Sequence, residues 1–228
     1  MTKQYSIITV HPRFVNTYRD FGVLRSAIEK FAATVSVVDL RDYAVDKHAS
    51  VDAAPYGGGD GMVIRPEPLR DALAAMSIKP YVIYTSPSGK RWTQADVQRL
   101  ATMDQPIAFV CGRFGGVDQR FIDQYVDEEF SLGDFVVSGG ELPVLMMLDS
   151  IVRLLPGALG NEASSGSDSF ASGMQGMLEY PLYTRPPEFE GHSVPEVLLS
   201  GDHEKIRRWR NEQSFERTKR LRPDLLKK

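Results

Sequence analysis

"PIAFVCG", residues 106–112, is the stretch on which the reading of the fold rests. It holds no charge and no apolar/polar alternation, and it ends in small residues. A strand covered by helices on both faces reads this way, as strands of parallel sheets do. "YVIYTS" (81–86) has the same character upstream. Between the two lies "TQADVQRLA" (93–101), a helix candidate that opens on a Thr cap. Further out, "YSIITV" (5–10) and "TVSVVDL" (34–40) read as strands, and Val23 to Phe31 as an amphipathic helix. "PEPLRDALAAM" (66–76) starts a helix on prolines, and "ELPVLMMLDSIVRLL" (141–155) is a long, mostly apolar one. Strands alternating with helices predict an α/β layer with a parallel sheet over the first 155 residues or so.

The pattern stops at Leu154-Leu155-Pro156-Gly157, and "GNEASSGSDSFASG" (160–173) follows with the composition of a flexible linker. Beyond it, "VPEVLLS" and "DHEKIRRWRNEQSFERTKRLRPDLLKK" read as short helices with no strand between them. The expected layout is an α/β domain over 1–158, a flexible linker over 159–176 carrying Asp168, and a small all-helical domain over 177–228.

Composition narrows the function. No run of about 18 apolar residues predicts a transmembrane helix, and the start of the chain lacks a signal-peptide core. A lone cysteine, Cys111, excludes an internal disulfide framework and a multi-thiolate zinc site. These features point to a soluble cytoplasmic protein. Of the total net charge of −3, Lys205 to Lys228 holds 10 Lys/Arg against 3 Asp/Glu, a local +7 against −10 elsewhere. Such an end meets an anionic partner, although a solvated helix face has the same composition.

Three glycine-bearing turns follow strand candidates: Ser86 to Gly89, Gly112 to Gly116, and Ser138 to Gly140. Ligands of open α/β sheets bind beyond the carboxyl ends of strands, and small residues admit them close to the backbone. A fourth cluster, "PYGGGDGM" (55–62), fits neither dinucleotide nor P-loop spacing, and no strand is predicted to lead directly into it. It reads as a substrate-contacting loop, with a plain surface loop as the alternative. There is no G-x-S-x-G elbow and no H-E-x-x-H, and the four His lack metal-ligand spacing. The reactive inventory is therefore carboxylates and arginines. Asp168 sits in a polar flexible stretch, and Arg153 ends an apolar helix, where a cation also suits the helix dipole.

"PYGGGDGM", "VCGRFGGVDQR", "DEEFSLGDFVVSGGELP", "EASSGSDSFASG", "YTRP" and "VLLSGDHEKIRRWR" closely resemble the bacterial tRNA (guanine-37-N1)-methyltransferase family, of the SPOUT class. The match runs over nearly the whole chain. The resemblance implies a deep trefoil knot in the α/β domain, a rare exception to the rule against threaded chains. It implies S-adenosylmethionine as cofactor, tRNA with G at position 37 as substrate, and an obligate homodimer with the active site shared between subunits. Carried over, the cofactor residues are Tyr84, Ser86, Pro87 and Gly89; Gly112, Arg113 and Gly116; and Leu132, Gly133, Asp134, Phe135, Val136, Val137, Ser138, Gly139 and Gly140, with Pro143. Asp168 matches the general base and Arg153 the catalytic arginine. The substrate contacts expected are Tyr56, Gly57, Gly58 and Gly59 of the glycine loop and Arg207, Arg208 and Arg210 of the basic end. Magnesium dependence is a trait of the family for which no dedicated site is legible, Glu179 and Asp168 being the acids at hand.

The chain departs from the pattern in places. Gly112-Arg113-Phe114-Gly115-Gly116 stands where the family reads G-R-Y-E-G, which removes a glutamate tied to the target-base pocket. "GMQGMLEYP" is about two residues longer, leaving Glu179 to match a family aspartate. The chain also ends sooner, implying a trimmed helical domain. A catalytically silent RNA-binding relative and a nucleotide-phosphate enzyme built on "GGGDG" are the competing readings. The first need not bind S-adenosylmethionine; the second requires binding of a nucleoside triphosphate.

Overall fold

The computed structural model describes residues 2–159 and 164–227. Strand β6 (Ile107–Cys111), the segment read first, is buried along its whole length. It lies between β1 (Lys3–Thr9) and β5 (Tyr81–Arg91), and β2 (Ala33–Asp39) and β7 (Glu128–Ser131) complete a five-stranded sheet in the order β2-β1-β6-β5-β7. Every pairing in it is parallel. Apolar side chains pack on both faces, one cluster including Ile7, Phe109 and Phe130 and the other Ile8, Val110 and Tyr84. Burial on both faces is why β6 carries no alternation.

Helices α1 (Pro12–Arg19), α2 (Gly22–Glu29), α3 (Pro66–Ala74), α4 (Gln94–Thr102), α5 (Gln119–Tyr125) and α6 (Glu141–Val152) cover the sheet. The predicted Thr cap of α4 is a full capping box: Thr93 Oγ1 accepts from Asp96 N–H, and the Asp96 carboxylate accepts from Thr93 N–H. Lys90 Nζ donates to the same carboxylate at 2.6 Å.

Strand β7 was not anticipated. Its "EEFS" reads as polar, but each acid has a partner: Glu128 accepts from Tyr81 Oη and Arg99, and Glu129 accepts from Ser86 Oγ. At the sheet edge those partners let two carboxylates sit on one strand. The glycine loop also has strands beside it, contrary to expectation. Strands β3 (Asp52–Ala53) and β4 (Val63–Ile64) form an antiparallel ladder around it. Two residues are too few for any periodicity to show.

The chain divides into two compact units, Met1–Gly160 and Asn161–Lys228. Of the expected linker, residues 160–163 lie outside the described residues. From Ser164 the chain forms a short helix, α7 (Ser164–Ser167), and then a 3₁₀ turn over Ser172–Met174. The N–H of Phe170 donates to the carbonyl of Met177 across this turn. The second unit is not all helix. An antiparallel pair, β8 (Glu188–Phe189) and β9 (His192–Ser193), precedes α8 (Glu196–Leu199). The basic end then forms one 19-residue helix, α9 (His203–Leu221), rather than several short ones. Asp202 caps it by accepting from Glu204 and Lys205 N–H. No apolar stripe marks α9, because what it buries is Ser214 and Thr218. Thr218 Oγ1 accepts from Leu178 N–H at 3.0 Å, and Ser214 Oγ donates to Leu178 C=O at 2.6 Å.

Candidate active site

Strands β5, β6 and β7 end side by side, and their following turns enclose a cleft of about 410 Å³. That is a size suited to a small organic ligand. The first turn arises because β5 interrupts its pairing: Thr85 and Lys90 both face Phe130, and Ser86 to Gly89 loop out between them. The second follows β6, where Gly116 N–H donates to Arg113 C=O. The third, after β7, returns to the second: Gly140 N–H donates to Gly112 C=O at 2.7 Å, and Arg113 bridges Gly139.

These turns need glycine for closeness. A Cβ on Gly140 would lie 2.6 Å from Thr85 Oγ1 and 2.7 Å from Gly112 N. A Cβ on Gly89 would lie 2.5 Å from the Phe130 backbone. Such contacts are far inside van der Waals range, so chain segments pass here backbone to backbone.

Of the residues expected to hold a cofactor, the cleft brings together Tyr84, Ser86, Pro87, Gly112, Arg113, Gly116, Leu132, Gly133, Phe135 to Gly140, and Pro143. Gly89 and Asp134 do not line it; Gly89 turns its bare face to Phe130 instead. The sequence reading passed over Glu129, Gln119 and Ile122, which also line the cleft. Glu129 was hidden because the strand that carries it was not seen.

Arg113 pairs with the buried Glu141 at the start of α6 (3.7 Å), and Glu141 also accepts from Thr9 Oγ1 at 2.7 Å. Burial, then the Glu129 charge, pushes the Tyr84 phenol up to about 12. The Cys111 thiol is raised well above its ordinary value by burial and then by Glu141, so it is no nucleophile at neutral pH.

Arg153 follows the last residue of α6, while Gly140 precedes its first. A 12-residue helix separates them, about 18 Å at 1.5 Å per residue. Arg153 therefore does not line its own chain's cleft. Asp168 belongs to the second unit, just after α7, and its carbonyl accepts from Ala171 N–H at 3.1 Å.

In the glycine loop, Gly57, Gly58 and Gly59 all have φ between +81° and +116°, and a Cβ on any of them would meet only open space. Here the requirement is conformational rather than steric. Tyr56 is 99% exposed. The loop's far end is fixed to the cleft: Gly115 N–H donates to Met62 C=O, and Ile64 N–H to Gly116 C=O. Gly115 thus serves as a backbone anchor for the loop.

On α9, Arg207 and Arg208 are exposed. The Arg210 guanidinium lies 4.8 Å over the Tyr180 ring, beside the tilted ring pair Tyr183 and Trp209. Among the described residues, no group of three His, Cys, Asp or Glu side chains could hold a metal ion, and no helix is long and apolar enough to cross a membrane.

A parallel sheet whose glycine turns converge on a cleft beyond its strand ends defines an α/β protein of the ligand-binding type. A family model described as tRNA (Guanine-1)-methyltransferase TrmD matches residues 3–228. The tRNA (guanine-N(1)-)-methyltransferase of Geobacter sulfurreducens is 46% identical over 228 residues, covering 99% of this chain and 91% of the relative. Those of Anaeromyxobacter sp. and Bacillus subtilis are 49% and 46% identical, covering 99% and 96% of this chain and 91% and 90% of each relative. The chain belongs to the tRNA (guanine-N1)-methyltransferase family and is a methyltransferase.

Proposed function

We propose that the protein transfers a methyl group from S-adenosylmethionine to N1 of guanosine-37 in tRNA, 3′ of the anticodon. The observation that carries this reading is the glycine-built cleft beyond β5, β6 and β7 in a chain of this family. The residues present fit the cofactor: glycines that tolerate no Cβ expose backbone polar groups, and the lining mixes apolar surface with one carboxylate. When bound, S-adenosylmethionine supplies a methyl group on a positively charged sulfur, already an excellent leaving group.

Asp168 is the general base. N1 of guanine carries a proton and is a poor nucleophile, so a carboxylate must take that proton, a role worth roughly 10²–10⁴ in rate. Arg153 stabilises the negative charge growing toward O6. The guanine is taken out of its stack to reach the site. Tyr56 to Gly59 and Arg207, Arg208 and Arg210 contact the tRNA. No side chain is assigned to magnesium.

Residues 1–158 form a trefoil-knotted cofactor domain, 159–176 a linker that bears the base, and 177–228 a mainly helical tRNA-binding domain. The backbone crossings at Gly89, Gly112 and Gly140 support the knot. The active form is a homodimer in the cytoplasm, with Arg153 and Asp168 of one subunit serving the cleft of the other. Two observations support sharing. Arg153 stands a helix length from its own cleft. Val136, Leu142 and Met146 are exposed apolar residues, and Val136, 83% exposed, lines the cleft. The test is to incubate the protein with labelled cofactor and a tRNA bearing G or A at position 37. Methyl incorporation into the G form alone is expected; equal incorporation into both, or none, rejects the reading.

A further inference from the structure

Glu129 lines the cleft from β7 with one of its oxygens committed: Oε2 accepts from Ser86 Oγ at 2.7 Å, and Ser88 Oγ is 2.8 Å from the same hydroxyl. No cation among the described residues pairs with it. The arginine that shares the cleft, Arg113, faces Glu141 instead. Gly115 brings no side chain, so Glu129 is the one carboxylate among the described residues that line the cleft. Its field is felt inside, since it adds to the rise of the Tyr84 phenol. A half-buried carboxylate that faces a cleft of mixed polarity with no paired cation is placed to meet a positive group of a ligand.

We propose that Glu129 is a binding residue for the ammonium group of the cofactor's amino-acid end, oriented for it by Ser86. This rests on the S-adenosylmethionine reading above. That cofactor offers two positive groups, and chemistry selects between them. An ammonium brings three N–H donors, which suit a carboxylate oxygen still open to accept. The sulfonium has no donor. A carboxylate beside it would also stabilise the charged ground state more than the transition state, in which that charge disperses, and so would slow the reaction. The carboxylate therefore belongs at the end that does not react.

Calorimetry on the full-length protein with three ligands tests this: S-adenosylmethionine, S-adenosylhomocysteine, and methylthioadenosine, which lacks the amino-acid end. Glu129→Gln is expected to weaken the first two about 10- to 100-fold, as loss of a charged hydrogen bond does. Methylthioadenosine should bind as before, which also reports an intact cleft. Ser86→Ala keeps the carboxylate but frees it, and should show the same selective pattern at smaller size. This variant decides the matter if Glu129→Gln fails to fold. Equal weakening of all three ligands would place Glu129 at the nucleoside, and unchanged affinity would leave it without a role; either overturns the proposal. If the unaltered protein binds none of the three, the cofactor reading falls as well.

Discussion

The amide of Gly140 donates to the carbonyl of Gly112 at 2.7 Å, joining the chain after β7 to the chain after β6. The contact needs a bare Gly140, whose Cβ would lie 2.7 Å from Gly112 N, whereas a Cβ on Gly112 would meet the Tyr84 ring, and both glycines line the cleft. Gly140→Ala would push a methyl group onto Thr85 Oγ1 and the Cys111–Gly112 backbone, at 2.6–2.8 Å. Loss of cofactor binding is expected, with destabilisation of about 1–3 kcal/mol from the forced shift. Calorimetric titration and thermal unfolding would show it; normal affinity would mean the crossing can relax.

Asp168→Ala should abolish methylation and leave cofactor affinity within about twofold, because a general base acts on the transition state and not on cofactor binding. Single-turnover methylation beside calorimetry separates the two, and full activity rejects Asp168 as the base. Mixing Asp168→Ala subunits with Gly140→Ala subunits tests sharing. In mixed dimers one site keeps both an intact cleft and an intact base, so activity should return in part. No rescue argues for a site within one chain.

Thr218 and Ser214, one turn apart on α9, hold the N–H and the C=O of Leu178, on the two peptide units that flank its Cα. They tie the segment that follows Asp168 to the helix that follows it. Thr218→Val removes the acceptor of the part-buried Leu178 N–H and should cost about 1 kcal/mol. Hydrogen exchange at residues 168–179 should quicken, while exchange in the sheet stays unchanged.

Asp96 predicts acid sensitivity. Burial alone would raise its carboxyl, but Lys90 and the Thr93 cap hold it below the usual value. A carboxylate depressed in the folded state stabilises fully above the unfolded value, near pH 4, and the contribution fades as pH falls through the folded value. Asp96→Asn should therefore lose about 1 kcal/mol at pH 7, the worth of a cap. It should also flatten the stability profile below pH 4, which denaturant melts from pH 7 to 2.5 would reveal.

Arg207 and Arg208 point to a salt-dependent grip on RNA. Each contact with a phosphate contributes about one unit to the slope of log affinity against log salt. Replacing both with Gln should lower the slope by about two and leave cofactor affinity intact. An unchanged slope places the tRNA elsewhere.

What the sequence determined by itself was whatever local patterning encodes. The charge-free run of 106–112 marked a strand buried on both faces, and Thr93 marked the start of α4. The three glycine turns were legible as one ligand region, and their motifs carried the family. Tertiary structure decided the rest, because its causes lie in contacts distant along the chain. Strand β7 is a strand because Tyr81, Arg99 and Ser86 satisfy its two acids, so Glu129 came to light only with its neighbours in place. Gly57 to Gly59 and Gly140 are the same letter, yet the first group is glycine for its backbone angles and the last for lack of space. Nor could composition show α9 as a single helix anchored through Ser214 and Thr218, since hydroxyls buried against the backbone of Leu178 leave no apolar period to read.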